Sequence, residues 1–166
     1  PSLFIDSELQ VAEKDEKKYS GQFVGSALNL SKNNSSAAII GGGDGGVARE
    51  LSSKGFDLID WYELDPEVVK VCQKHLLKVC GDIKANNKVK TYWGDAFESI
   101  KKVKNSKYDK IFVDLNDDQF CIDLASKNMK GLKRILKPGG IITAQVGCMS
   151  KKPRQVKNWL ELLKNN

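Results

Sequence analysis

Histidine is nearly absent from this chain: His75 is the only one in 166 residues. The four cysteines (Cys72, Cys80, Cys121 and Cys148) form no C-x-x-C pair. These two shortages exclude a metal-ligand cluster of the usual spacing. They leave reduced, buried thiols in a cytoplasmic protein as the expectation. No uninterrupted apolar run is long enough to span a bilayer, and no N-terminal signal peptide is visible. The chain opens at Pro1 without a methionine, so it is expected to be the ordered part of something longer. Internal repeats and low-complexity tracts are missing too. Length predicts one domain, and a hydrophobic content of 40% suffices for a core.

Acidic excess is also lacking. The net charge is +6 and the pI is about 9.1. A basic balance invites a nucleic-acid surface. The lysines, however, are scattered over predicted helix faces and loops (Lys14, Lys17, Lys101, Lys127, Lys137), and no RNP-like aromatic motif accompanies them. Neither a nucleic acid nor a membrane is expected as a partner.

What is present is a glycine turn. Ala38-Ile39-Ile40 is an apolar run that stops at Gly41-Gly42-Gly43-Asp44-Gly45-Gly46, and a helix-forming stretch follows. Gly41, Gly43 and Gly46 satisfy the dinucleotide pattern G-x-G-x-x-G. A turn built for pyrophosphate offers bare N–H groups and a helix N-terminus to an anion. Asp44 puts a carboxylate inside this one. At about 4 Å it would repel a phosphate by roughly 4 kcal/mol at an effective dielectric near 20. The turn therefore suits a nucleoside whose neighbouring group is a cation or an amine better than it suits NAD.

The rest of the chain alternates. Leu3 to Ile5 and Leu9 to Val11 read as a hairpin, and Glu13 to Leu30 as a helix with Tyr19, Phe23 and Ala27 on one face. Strands are predicted at Ala37–Ile40, Leu58–Leu64, Lys88–Trp93, Lys110–Leu115 and Ile141–Val146. Helices are predicted at Gly45–Lys54, from Pro66 to about Val79, and at Ala96–Val103, Phe120–Leu136 and Pro153–Lys164. Pro138-Gly139-Gly140 is expected to break the penultimate helix. This alternation predicts a Rossmann-like α/β fold: a parallel sheet, right-handed crossovers, and a ligand beyond the carboxyl ends of the strands. That rim collects acids. The first strand leads to Asp44, the second to Glu63 and Asp65, the third to Asp95, the fourth to Asp114, Asp117 and Asp118. In a basic chain such a rim attracts an oligocation.

Glu63 follows the turn by about 20 residues, the place of an acid that accepts from both ribose hydroxyls. The alternative is a helix cap, for which Asp65 before Pro66 is the better candidate. Asp95, between Gly94 and Ala96, reads as an adenine contact with its neighbouring backbone, or as a plain N-cap. Asp114 ends Ile111-Phe112-Val113, a strand expected to be buried on both faces. A carboxylate there can take a proton from an amine or hold its cationic form, or it is a satisfied strand-end acid. Tyr19 reads as well as a core aromatic as it does as a site residue. His75 reads as a surface residue, and Val68, Val69, Cys72 and Leu76 as a core stripe. Nothing near Cys148 in sequence points to a depressed thiol pKa.

The run Ile39 to Val47 resembles the signature of the spermidine/spermine synthase family of aminopropyltransferases. The likeness continues through Tyr62-Glu63-Leu64-Asp65-Pro66, Gly94 to Glu98 and Tyr108 to Asp114. Val11 to Ser20 and Cys72 to Asp82 lean toward spermine synthase. Asp114-Leu115-Asn116-Asp117 has the Asp-x-x-Asp spacing of spermidine synthase instead. The resemblance implies transfer of an aminopropyl group from decarboxylated S-adenosylmethionine to a polyamine, with release of methylthioadenosine and no metal. It implies that Gly41, Gly43, Asp44, Glu63, Asp95 and Ala96 hold that co-substrate. Asp44 would hold the aminopropyl ammonium, Glu63 the ribose and Asp95 the adenine. Asp114 would accept the proton while Tyr19 orients the amine, and Asp117 and Gln145 would join the polyamine site. Asp117 would hold the far amine of a diamine.

Against the family pattern, the upstream segment with its Tyr-Gln pair and the final strands are missing. The loop after Asp114 is short, and Val146 stands where a glycine follows Gln145. Residues 1–30 are therefore expected to be a hairpin remnant and linking helix, and 31–166 a catalytic domain truncated at both ends. The full-length protein is expected to be a homodimer. Two alternatives stand: a putrescine N-methyltransferase using intact S-adenosylmethionine, and an inactive paralogue acting as a binding or regulatory subunit.

Overall fold

The computed structural model describes residues 1–165. Two antiparallel strands, β1 (Ser2–Ile5) and β2 (Glu8–Ala12), form the hairpin. Its turn residues Asp6 and Ser7 both have positive φ, 50° and 65°, as a type I′ turn requires. Helix α1 (Glu13–Leu30) follows directly and buries Glu16, Ser20, Phe23, Val24 and Ala27. Five parallel strands make the sheet: β3 (Ser36–Gly41), β4 (Leu58–Glu63), β5 (Val89–Trp93), β6 (Tyr108–Asp114) and β7 (Leu136–Ala144). Between and after them come α2 (Gly46–Ser53), α3 (Pro66–His75), α4 (Leu77–Cys80), α5 (Ala96–Ile100), α6 (Gln119–Ile135) and α7 (Pro153–Lys164). The strand order is β5-β4-β3-β6-β7. This is the Rossmann-like parallel sheet that the alternation predicts. Its order reverses between β3 and β6, which opens a crevice beyond the carboxyl ends of those two strands.

Residues alternate across the sheet, as strand geometry demands. Ala37, Ile39, Ile59, Trp61 and Phe112 meet Phe23, Val24 and Ala27 of α1 and Val47, Ala48 and Leu51 of α2. Ala38, Ile40, Tyr62, Ile111 and Val113 meet Phe97, Ile122, Met129, Leu132 and Trp159 from α5, α6 and α7. Each fully buried large side chain contributes about 1.5–3 kcal/mol. Strand β6, interior to the sheet, also buries a charge. Lys110 donates to the carbonyls of Ser31 (3.2 Å) and Asn33 (2.9 Å), a cation placed at the C-terminus of α1.

Helix α5 ends at Ile100, three residues before the expected Val103, and β6 begins at Tyr108, two before the expected Lys110; two further spans differ more. The helix predicted from Pro66 to Val79 is interrupted at Leu76, which leaves helical geometry (φ −125°, ψ 46°). The break lets Leu76 and Val79 pack with Cys72 and with Val11 of the hairpin. The last strand begins at Leu136, not Ile141: Leu136 pairs with Tyr108, then four residues bulge before Ile141 pairs with Lys110. Lys137 anchors that bulge, its ammonium 3.0 Å from Asp109. Pro138 is tolerated because β7 is an edge strand. No helix among the described residues is long and apolar enough to cross a membrane.

Candidate active site

The glycine turn sits at the mouth of the crevice. Gly41, Gly42 and Gly45 have φ of 82°, 69° and 80°, a region costly for any residue with a Cβ. The turn is clamped from three sides. Trp61 Nε1 donates to the Gly41 carbonyl at 2.8 Å. Gly42 N donates to the Asp114 carbonyl at 2.9 Å, and Gly45 N to the Gly42 carbonyl at 2.9 Å. Asp44 closes it by accepting from Gly46 N at 2.7 Å.

The β3–β6 register places Gly41 opposite Asp114. One oxygen of Asp114 accepts from the Tyr19 hydroxyl at 2.8 Å. The other lies against Gly42, where a Cβ would approach it to 2.9 Å. Tyr19 stacks on Phe23 (ring centroids 5.8 Å apart) yet keeps 39% of its surface exposed. It is thus both a packed aromatic and a rim hydroxyl. Burial pushes the Asp114 carboxyl above the usual range; the charges of Glu63 and Glu16 add to this, and the Tyr19 bond opposes it. Burial raises Asp44 as well, aided by Asp114 and Glu16 and opposed by the Gly46 N–H and Arg49. Burial, then Asp114, pushes the Tyr19 phenol upward, so it stays a donor. A site that raises two carboxylates by burial, with neighbouring acids adding to the rise, favours a bound cation.

Glu63 does not cap α3. Asp65 does, accepting from Glu67 N at 2.8 Å. Glu63 accepts from Asp65 N at 2.9 Å through Oε1, while Oε2 faces Gly43, whose Cβ would come within 3.1 Å of it. Burial raises its pKa, and the N–H groups of Asp65 and Leu64 oppose the rise. Gly94 N donates to the Glu63 carbonyl at 2.9 Å, which brings Asp95 and Ala96 beside it. Asp95 is the N-cap of α5: Oδ1 accepts from Phe97 N (2.7 Å) and Glu98 N (3.3 Å). Gln145 N donates to the Val113 carbonyl at 2.9 Å, and its side-chain carbonyl is buried without a hydrogen-bond partner. Asp117, three residues beyond Asp114, is engaged by Lys152 at 2.7 Å.

Tyr19, Asp44 and Asp114 therefore converge on the glycine turn, with Glu63, Asp95 and Ala96 on one side and Asp117 and Gln145 on the other. His75 is exposed, as its surroundings predict. Cys72 and Cys80 are buried as expected, but Cys121 is half-buried and Cys148 exposed; the Ser150 hydroxyl, then the N–H groups of Ser150 and Lys151, also lower the Cys148 pKa. Sequence reading missed Glu16, Gly42, Gly147 and Lys152. Glu16 is 3% exposed, pairs with Arg49 at 2.6 Å, bonds Ser20, and presses on Gly46 at the start of α2. An acid three residues before Tyr19, on the buried face of α1, was the available signal. The other three left none. Among the described residues, no group of three or more His, Cys, Asp or Glu could hold a metal ion.

Residues 16–166 match the family model described as the spermine/spermidine synthase domain. The chain is 35% identical over 160 residues to a polyamine aminopropyltransferase of Prochlorococcus marinus (strain MIT 9215), covering 95% of this chain and 55% of that protein. Its fold is similar to spermidine synthase from Thermotoga maritima (TM-score 0.87, 22% identity, 98% of this chain and 55% of that one). It is also similar to a spermidine synthase in complex with the transition-state analogue AdoDATO (TM-score 0.85, 21% identity, 98% and 54%). The chain spans about half the length of the curated relatives it matches.

Proposed function

The chain belongs to the spermine/spermidine synthase family, and from that premise we propose that it is the catalytic part of a polyamine aminopropyltransferase. The donor is decarboxylated S-adenosylmethionine and the acceptor a polyamine amine. One observation carries this reading. Asp114, raised in pKa by burial, touches Tyr19 with one oxygen and the glycine turn with the other, beside Asp44.

The chemistry needs little more. The uncharged acceptor nitrogen attacks the carbon next to the donor sulfonium. A C–N bond forms and the C–S bond breaks. The electron pair of that bond leaves with sulfur, which becomes the neutral thioether of methylthioadenosine. The nitrogen gives up one proton, and Asp114 is placed to take it. Tyr19, always a donor, fixes the carboxylate for that step. The sulfonium is already activated, so alignment supplies most of the rest.

Asp44 suits the aminopropyl ammonium. The carboxylate of ordinary S-adenosylmethionine in that place would be repelled by roughly 4 kcal/mol at about 4 Å and an effective dielectric near 20. Glu63 has one oxygen turned to the turn for the ribose hydroxyls. Asp95 has one carboxylate oxygen committed to its cap and the other left for adenine. The unpartnered Gln145 carbonyl is an acceptor for an amine N–H. The similarly folded spermidine synthase in complex with the transition-state analogue AdoDATO supports an adenosyl donor. Four free thiols fit a reduced, cytoplasmic setting.

Calorimetry on the full-length protein tests the proposal. Decarboxylated S-adenosylmethionine and methylthioadenosine should bind more tightly than S-adenosylmethionine, and turnover should release methylthioadenosine. Tighter binding of S-adenosylmethionine with release of S-adenosylhomocysteine would identify an N-methyltransferase instead. Ligand binding with no product from either donor would identify an inactive paralogue.

A further inference from the structure

The carboxylate on the acceptor side of this site already holds a cation, and the cation belongs to the chain. Asp117 Oδ1 accepts from Lys152 Nζ at 2.7 Å. Asp117 Oδ2 packs against Gly147, whose φ is +80° and whose missing Cβ leaves the room. Both oxygens are thus placed by the segment after β7. Lys152 itself is held at the N-cap of α7, in a turn where Lys151 N and Lys152 N both donate to the Cys148 carbonyl (3.0 and 2.8 Å). Its ammonium is 3.9 Å from Glu8 of β2. It is 32% exposed, so it has solvent to retreat into.

We propose that Lys152 is a specificity-determining residue: its ammonium fills the place at Asp117 where the non-reacting ammonium of a short diamine would bind, and so turns the site toward longer polyamines. The inference rests on the aminopropyltransferase reading of the same site. Tyr19 and Asp114 fix where the reacting nitrogen sits. Asp117 is three residues beyond Asp114 on the loop that leaves β6, and it packs on Gly147, two residues beyond Gln145, whose N–H donates to the Val113 carbonyl; on this reading the far end of a short diamine reaches Asp117. There it must expel Lys152 or sit beside a like charge. A triamine carries its end ammonium past this point, toward Glu8, whose carboxylate is largely exposed. Losing Asp117 as a partner therefore costs the triamine less.

The test removes the cation and keeps the stem. Full-length wild type, Lys152→Met, Lys152→Arg and the double variant Asp117→Asn/Lys152→Met are saturated with methylthioadenosine. Each is then titrated with putrescine and with spermidine. Lys152→Met should bind putrescine about two- to fivefold more tightly than wild type, the upper part of the range for one partly exposed charge pair. Spermidine should change less than about twofold on the same scale. Lys152→Arg should behave as wild type, and the double variant should lose the gain. Unchanged putrescine affinity in Lys152→Met, or an equal gain for both amines, overturns the inference and leaves the aminopropyltransferase reading standing. Failure of the wild type to bind methylthioadenosine at all sinks that reading, and this inference with it.

Discussion

Replacing Asp114 by asparagine removes one negative charge and keeps the shape. The amide oxygen can still accept from Tyr19, so the 2.8 Å contact survives. Two effects of opposite sign follow. Asparagine cannot take a proton, and a general base is worth about 10²–10⁴ in rate, so turnover should fall by that order while methylthioadenosine still binds. Stability should move the other way. The folded state holds the Asp114 carboxyl above its ordinary range, by burial first and then through Glu63 and Glu16. Folded protein therefore keeps that proton at pH values where the unfolded chain has lost it. Stability of the wild type falls as pH rises from the unfolded carboxylate pKa, near 3.9, through the raised folded value. The asparagine variant escapes this fall. Each unit of such a shift corresponds to about 1.4 kcal/mol. A gain of about 1–2 kcal/mol above the folded pKa would raise Tm by about 2–8 °C at this chain length. Below about pH 4 both proteins carry a neutral group and the gain should vanish. Thermal denaturation at pH 4 and pH 8, with methylthioadenosine release measured alongside, checks both halves. A variant less stable than wild type at pH 8 would refute the burial argument. Turnover within tenfold of wild type would refute the base.

Glu63→Gln should weaken every adenosyl ligand by roughly ten- to a hundredfold, because hydrogen bonds to a charged acceptor contribute about 1.5–3 kcal/mol; calorimetry with methylthioadenosine reads this, and unchanged affinity would leave Glu63 a structural acid. Tyr19→Phe removes the bond that holds the Asp114 pKa down, so the acidic limb of the kcat/KM profile should move to higher pH; an unmoved limb would separate the two residues functionally. Gly42→Ala puts a Cβ 2.9 Å from Asp114 Oδ2 at a φ of +69°. It should cost about 1–3 kcal/mol of stability and lower turnover far more than donor affinity, and near wild-type turnover would show that the glycine is not what seats Asp114.

The periodicities of the chain determined its architecture. Alternating helical and strand patterns fixed the parallel sheet, because each element buries its apolar face only one way. Helices α1 and α7 have the bounds the sequence predicts, and their ends are set by local composition: acids in the first turn of α1 and Pro153 opening α7. The acids of the rim were legible too, since a strand-to-helix junction places its residues at the carboxyl edge whatever surrounds it. Tertiary structure decided what each acid does. Asp65 and Glu63 are two residues apart on one junction, yet one caps a helix and the other turns an oxygen to the glycine turn. The interruption at Leu76 and the early start of β7 came from packing against the hairpin and against Asp109, which no local pattern records. Glu16 acts on Asp44 and Asp114 through space from another element. Lys152 meets Asp117 across 35 residues of chain. Charge pairing over such separations depends on where the sheet brings its loops, and only the folded chain contains that information.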